Sequence, residues 1–110
     1  MTEQSKKYLS DIIRAIELIE QFSVSTASFQ DYLLDLKTQS AIERQLSIIG
    51  EAVNKFDKLQ PESTLENARK IVGFRNRLIH SYDAVDPSMI WAILVKYLPL
   101  LKKEALQKIS

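Results

Sequence analysis

The chain has no cysteine, a single histidine, two glycines and three prolines among its 110 residues. Without cysteine there is no disulfide framework, no thiolate zinc site and no cysteine nucleophile, and one histidine argues against a histidine-rich metal site. So few glycines and prolines also withhold the turn signals that an architecture of many short strands requires. No apolar run approaches the roughly 18 residues of a membrane span. The first eleven residues are polar and charged, without the apolar stretch of a secretory leader, so a cytoplasmic protein with no membrane contact is expected. The net charge of +1 lacks the basic excess that by itself draws a protein onto nucleic acid. Any RNA contact must then rest on local clusters, such as Arg75 with Arg77 or Lys102 with Lys103, which are more usually plain solvated surface.

What is present is an ordinary globular composition, 45% hydrophobic and 26% charged, rich in the residues that favour helices. A chain of this length makes one core and buries roughly two thirds of its unfolded surface. No repeat, low-complexity segment or long linker divides it, so residues 1–110 are expected to form a single domain.

Leu9, Ile12, Ile13, Ile16, Ile19 and Phe22 recur at steps of three and four, which predicts a first helix from about Glu3 to Phe22. Ser28, three residues before Asp31, has the look of an N-cap for a brief second helix carrying Phe29, Tyr32, Leu33 and Leu36. From Thr38 to about Leu59, Ile42, Leu46, Ile49, Val53 and Phe56 form the narrow seam of a long third helix. Pro61 ends it. Ser63 and Glu66 have capping-box spacing, which predicts a fourth helix with Leu65, Ala68, Ile71, Val72, Leu78 and Ile79 on its buried side. Asp86-Pro87 opens a fifth, with Ile90, Trp91, Leu94, Leu98 and Leu101 inward and a kink at Pro99. The expectation is an all-α, up-and-down bundle of four main helices plus one short helix.

Arg75 falls in the stripe Ala68, Val72, Arg75, Ile79, Tyr82, where the period asks for an apolar side chain. A guanidinium there must be paired, hydrated in a cleft or covered by a second subunit, unless it merely snorkels at the core edge. His80 lies four residues after Asn76, so the two share a helix face, whereas five steps from Arg75 amount to about 140° of turn. Arg75 and His80 therefore diverge within one chain unless the helix distorts near Ser81 or a second copy supplies its own pair. The plain reading of a histidine near a helix C-terminus is a partner for the helix dipole.

The run Gly73-Phe74-Arg75-Asn76-Arg77-Leu78-Ile79-His80-Ser81-Tyr82-Asp83 resembles the signature of the HEPN superfamily, an arginine, a polar residue often Asn, and then a histidine. Tyr82, two places after His80, matches the HepT-like branch, ribonuclease toxins encoded beside a minimal nucleotidyltransferase antitoxin. Ile48-Ile49-Gly50-Glu51-Ala52, Asp86-Pro87 and Leu98-Pro99 also resemble stretches of that branch, so the likeness covers essentially the whole chain. Ser81 departs from it, standing where relatives often have Gly.

The resemblance implies a HEPN-like homodimer that cleaves RNA without a metal or other cofactor, with the motifs of two chains meeting in one cleft. Such cleavage needs a base for the ribose 2′-OH, an acid for the leaving 5′-oxygen and a cation for the phosphorus oxygens. His80 suits the first two roles near neutral pH and Arg75 the third, with Asn76 orienting His80 or donating to the phosphate. One histidine per chain serves poorly as both acid and base, which favours a site built from two copies. The resemblance further implies that the cognate nucleotidyltransferase antitoxin, MntA-like, transfers AMP from ATP to Tyr82 and blocks the cleft by bulk and charge. Read by itself, Tyr82 would be a half-buried anchor with its hydroxyl at the surface. Gly50 inside a long helix is expected to permit close helix approach, and Glu51 to pair with a motif arginine. The competing readings are a non-catalytic HEPN companion of a nucleotidyltransferase, holding a nucleotide or substrate in the same cleft, and a purely structural helical dimer.

Overall fold

The computed structural model describes residues 1–80 and 86–110, with residues 78–80 described through their backbone alone. Six helical segments follow one another: α1 (Glu3–Phe22), α2 (Phe29–Leu34), α3 (Leu36–Leu59), α4 (Arg69–His80), α5 (Pro87–Ala92) and α6 (Leu98–Ile109). A π turn, Ile93–Tyr97, joins α5 to α6, so these read as one long irregular helix, and among the described residues there is no strand. The expected all-α bundle of four main helices and one short one is the observed architecture. No helix among the described residues is long and apolar enough to cross a membrane.

Local chemistry sets most boundaries. Thr2 caps α1 by accepting from the Ser5 N–H at 3.0 Å, and Ser28 caps α2 by accepting from that of Asp31 at 3.2 Å. The second helix stops two residues short of Leu36, because Asp35 begins α3 by accepting from both the N–H and the hydroxyl of Thr38, at 3.0 and 2.6 Å. Those two bonds, the hydroxyl's foremost, hold the Asp35 carboxyl below the usual carboxylate range. Asp86 caps α5 through the Ser88 N–H, with Pro87 in the first helical turn. Where a kink was expected at Pro99, the helix carries a π turn just before it. Proline can neither donate to the carbonyl of Val95 nor fit its ring against that turn, and the wider turn absorbs the mismatch.

The core is built from the predicted stripes. Leu9, Ile12, Ile16 and Ile19 of α1 meet Ile42, Leu46, Ile49, Val53 and Phe56 of α3, and Ile90, Ile93, Leu98 and Leu101 close the other side. Burying each such side chain stabilises the fold by about 1.5–3 kcal/mol. At the rim, Leu33 and Leu36 are exposed, Leu36 belonging to α3 rather than to the second helix, while Phe74, not expected in the core, is buried. Trp91 packs on Phe29 and Tyr32, with ring centroids 6.0 and 5.8 Å apart, and so belongs to the core's edge. Helix α1 lies along α3 and α6, and α4 lies along α3.

Candidate active site

Helix α4 carries the motif, and its beginning is held from a distance. The Ser63–Glu66 capping box does not form. Ser63 instead accepts from Lys108 at 2.9 Å, and the backbone N–H groups of Glu66 and Asn67 donate to the carboxylate of Glu104 in α6 at 2.9 and 3.0 Å. The Asn67 side-chain amide joins them at 3.0 Å. The Leu65 N–H donates to Asp57 of α3 at 2.9 Å, and burial raises that carboxyl's pKa despite the bond. A 3-10 turn, Glu66–Ala68, then leads into α4. One carboxylate thus serves orphan donors that a local serine would ordinarily take.

From this start Ile71 and Phe74 point into the core. Arg75, four residues after Ile71, falls on the flank facing α3 and is half-buried. Its stem lies against Gly50: a Cβ at position 50 would stand 2.7 Å from Arg75 Cβ and 3.0 Å from its Cγ. Gly50 therefore admits the arginine between two helices, the close approach expected from sequence. Among the described residues no carboxylate pairs with Arg75. Glu51, expected to do so, instead pairs with Lys55 at 3.2 Å, one turn along the exposed side of α3. The guanidinium's neighbour is Asn76, whose Oδ1 lies 3.5 Å from Arg75 Nη1, at the outer limit of a hydrogen bond. An unpaired, half-buried guanidinium beside an exposed amide is free to meet an anion.

The described backbone of α4 is helical without a break from Arg75 through His80. The distortion that would bring those two positions onto one face does not occur within this span. Tyr82 and Ser81 lie outside the described residues.

The two basic clusters marked in the sequence do not survive as such. Arg77 turns away from Arg75 and sets Nη1 3.3 Å from the sulfur of Met89 in α5. Lys102 is bound to Glu20 at 2.9 Å, which raises its pKa and removes it from any free patch. Sequence reasoning missed a groove of about 290 Å³ between α4 and α5, lined by Arg69, Lys70, Gly73, Arg77, Met89 and Tyr97 among others. The signal was available as Arg69, Gly73 and Arg77, spaced by four along one helix face.

Comparison with known proteins identifies the family. The family model described as ribonuclease HepT-like matches residues 12–108. The chain is 42% identical over 106 residues to a probable ribonuclease HepT of Thermococcus cleftensis, covering 93% of each chain. It is 37% identical over 108 residues to a candidate RNase of Caldanaerobacter subterraneus subsp. tengcongensis, covering 94% of this chain and 95% of that one. A candidate RNase of Methanocaldococcus jannaschii is 30% identical over 103 residues, covering 90% of this chain and 91% of its own. No solved structure gives a significant match. With an all-α helical fold and a family match spanning nearly the whole chain, the chain belongs to the HepT-like ribonuclease family.

Proposed function

We propose that the protein is an endoribonuclease that cleaves RNA without a metal, through a cleft shared by two copies of the chain. The observation that carries this reading is Arg75, half-buried, without a carboxylate partner among the described residues, and admitted by a glycine that α3 keeps at the point of contact. Burying part of a cation without a counter-charge is costly unless a ligand supplies one. A phosphate in the cleft does so, and the planar guanidinium fits it.

In the reaction an imidazole accepts the proton of the ribose 2′-OH as that oxygen attacks phosphorus. The bond from phosphorus to the 5′-oxygen breaks, and a second, protonated imidazole gives its proton to the leaving oxygen, producing a 2′,3′-cyclic phosphate and a free 5′-hydroxyl. Two His80 side chains, one per copy, take the two roles, and Arg75 offsets the charge that grows on the non-bridging oxygens. Asn76, exposed beside Arg75, orients the imidazole or donates to the phosphate. The helical path from Arg75 to His80 supports the shared site, since five residues of helix carry the two positions about 140° apart.

In the same reading the protein is the toxin of a pair, and a nucleotidyltransferase antitoxin silences it by moving AMP from ATP to the Tyr82 hydroxyl, releasing pyrophosphate. The test is cleavage of cellular RNA by purified, unmodified protein in EDTA, with Arg75→Ala and His80→Ala alongside. Both variants should lose activity while remaining dimers in sedimentation. No cleavage by the unmodified wild type would instead favour the non-catalytic companion. Mass spectrometry after incubation with the partner and Mg-ATP should place the adduct on Tyr82, and its absence there removes the antitoxin step.

A further inference from the structure

Helix α4 has a second polar face that this chemistry leaves unused. Arg69, Lys70 and Arg77 are exposed along it, and none has a carboxylate partner among the described residues. They border the groove of about 290 Å³, whose other wall is Met89 and Tyr97, both half-buried, and no described acidic residue lines it. Gly73 lies between the cations. A glycine inside a helix costs about 1 kcal/mol relative to alanine. At Gly50 the packing of Arg75 accounts for the glycine, but a Cβ at Gly73 would meet nothing within 4 Å. Nothing inside the described chain calls for a glycine here, and the face it keeps bare is the face of the groove.

Cations on one wall, an aromatic and a thioether on the other, apolar Phe74 and Ile93 beneath and a bare Gly73 among the cations suit a nucleotide of single-stranded RNA. The phosphate meets the cations and the base lies against the apolar wall. Resting on the ribonuclease reading above, we propose that the α4–α5 groove binds a nucleotide flanking the cut, so that the substrate strand crosses α4 from the Arg75 side to the Arg77 side. Positions 69, 73, 76 and 80 follow one another at steps of three and four, so the helical period sets the motif positions Asn76 and His80 along the groove's edge. The substrate class is then unpaired RNA of at least a few nucleotides, not a dinucleotide.

The experiment uses the full chain and a fluorescent 2′-O-methyl dodecamer, which offers no attacking hydroxyl and so reports binding alone, with cleavage of the matching unmodified RNA in parallel. Gly73→Gln fills the groove from a position where nothing crowds it and should raise the urea midpoint while weakening binding. The double variant Arg69→Gln/Lys70→Gln should weaken binding about tenfold or more and lower the salt slope by about 1.4, or 0.7 per lost phosphate contact. KM should rise with kcat nearly unchanged, since neither residue touches the reacting atoms. Lys6→Gln/Lys103→Gln, two exposed cations away from the groove, should leave binding as it was. Wild-type affinity and salt slope in the groove variants, while wild type cleaves RNA and Arg75→Ala does not, overturns the groove and leaves the ribonuclease standing. A wild type that neither binds nor cleaves RNA overturns both. Variants that lose binding only because they have become monomers show that a second copy covers this face, which also overturns the proposal.

Discussion

Gly50→Ala separates two effects that helix propensity alone would merge. In an open helix interior this substitution stabilises by about 1 kcal/mol. At position 50 the new methyl would lie 2.7 Å from Arg75 Cβ, 3.0 Å from Cγ and 3.4 Å from Cδ, where carbon atoms rest at about 3.5–4.0 Å. The nearest of these atoms is bonded to the α4 backbone and cannot swing aside, so the two helices must part by about 0.8 Å or more at this point. Overpacking of this kind costs about 1–3 kcal/mol, leaving a net destabilisation between nearly zero and about 2 kcal/mol once propensity is included. On the proposed role of Arg75 as the cation that meets the phosphate, activity should suffer far more, because a displacement of about 1 Å can cost about a hundredfold in rate. Urea unfolding followed by circular dichroism gives the first quantity, and cleavage of an oligonucleotide in EDTA gives the second. A variant that gains the full propensity increment and cleaves at the wild-type rate refutes the close packing of α3 on Arg75. Gly73→Ala serves as the internal standard for stability, since its methyl meets nothing and should realise that increment.

Three further outcomes are expected. Tyr32 is fully buried, and its hydroxyl has no hydrogen-bond partner among the described residues. Tyr32→Phe should therefore stabilise the protein by about 1 kcal/mol at pH 7, and a loss of that size would reveal a partner. Burial, with the nearby charge of Glu43 second, raises the pKa of this phenol. The folded chain then keeps a proton that the unfolded chain releases above about pH 10, so stability falls as pH rises through that value, and urea midpoints for the Phe variant should fall less. Glu104→Ala removes the acceptor for three hydrogen bonds at the entrance to α4. It should cost about 1–2 kcal/mol and slow cleavage, with Glu104→Gln in between, and unchanged stability would deny the carboxylate its capping role. Finally, two imidazoles acting as base and acid should give a bell-shaped kcat/KM profile with both limbs near about pH 6–7, whereas a single limb would break the two-histidine scheme.

The parts of the fold that could be read in advance are those whose causes lie close together in the chain. The ends of α1, the Ser28 cap and the Asp86-Pro87 opening each depend on two or three adjacent residues, and they stand where periodicity and capping chemistry put them. The entrance to α4 was misread because its donors are served by Glu104, 37 residues beyond Asn67, and no local spacing carries that information. Phe74 was passed over because the stripe drawn through Val72 and Ile79 ran one residue off the face that turns inward, where Ile71 and Phe74 are buried. Arg75 was visible as a cation at an apolar period, and Gly50 as a glycine without a turn to explain it, but only the packed helices show that each explains the other. The groove beside α5 escaped notice for a related reason, since its two walls lie on different helices and meet only after folding.

The clasp of Glu104 on the start of α4 also has a meaning in time. During synthesis residues 66 and 67 emerge before residue 104, whose carboxylate holds them, and Ser63 before its own partner Lys108. The segment bearing Arg75 and His80 therefore gains its full hold only when α6 has been made and has docked. A chain interrupted before residue 104 would therefore carry the motif of α4 without the clasp that fixes its start.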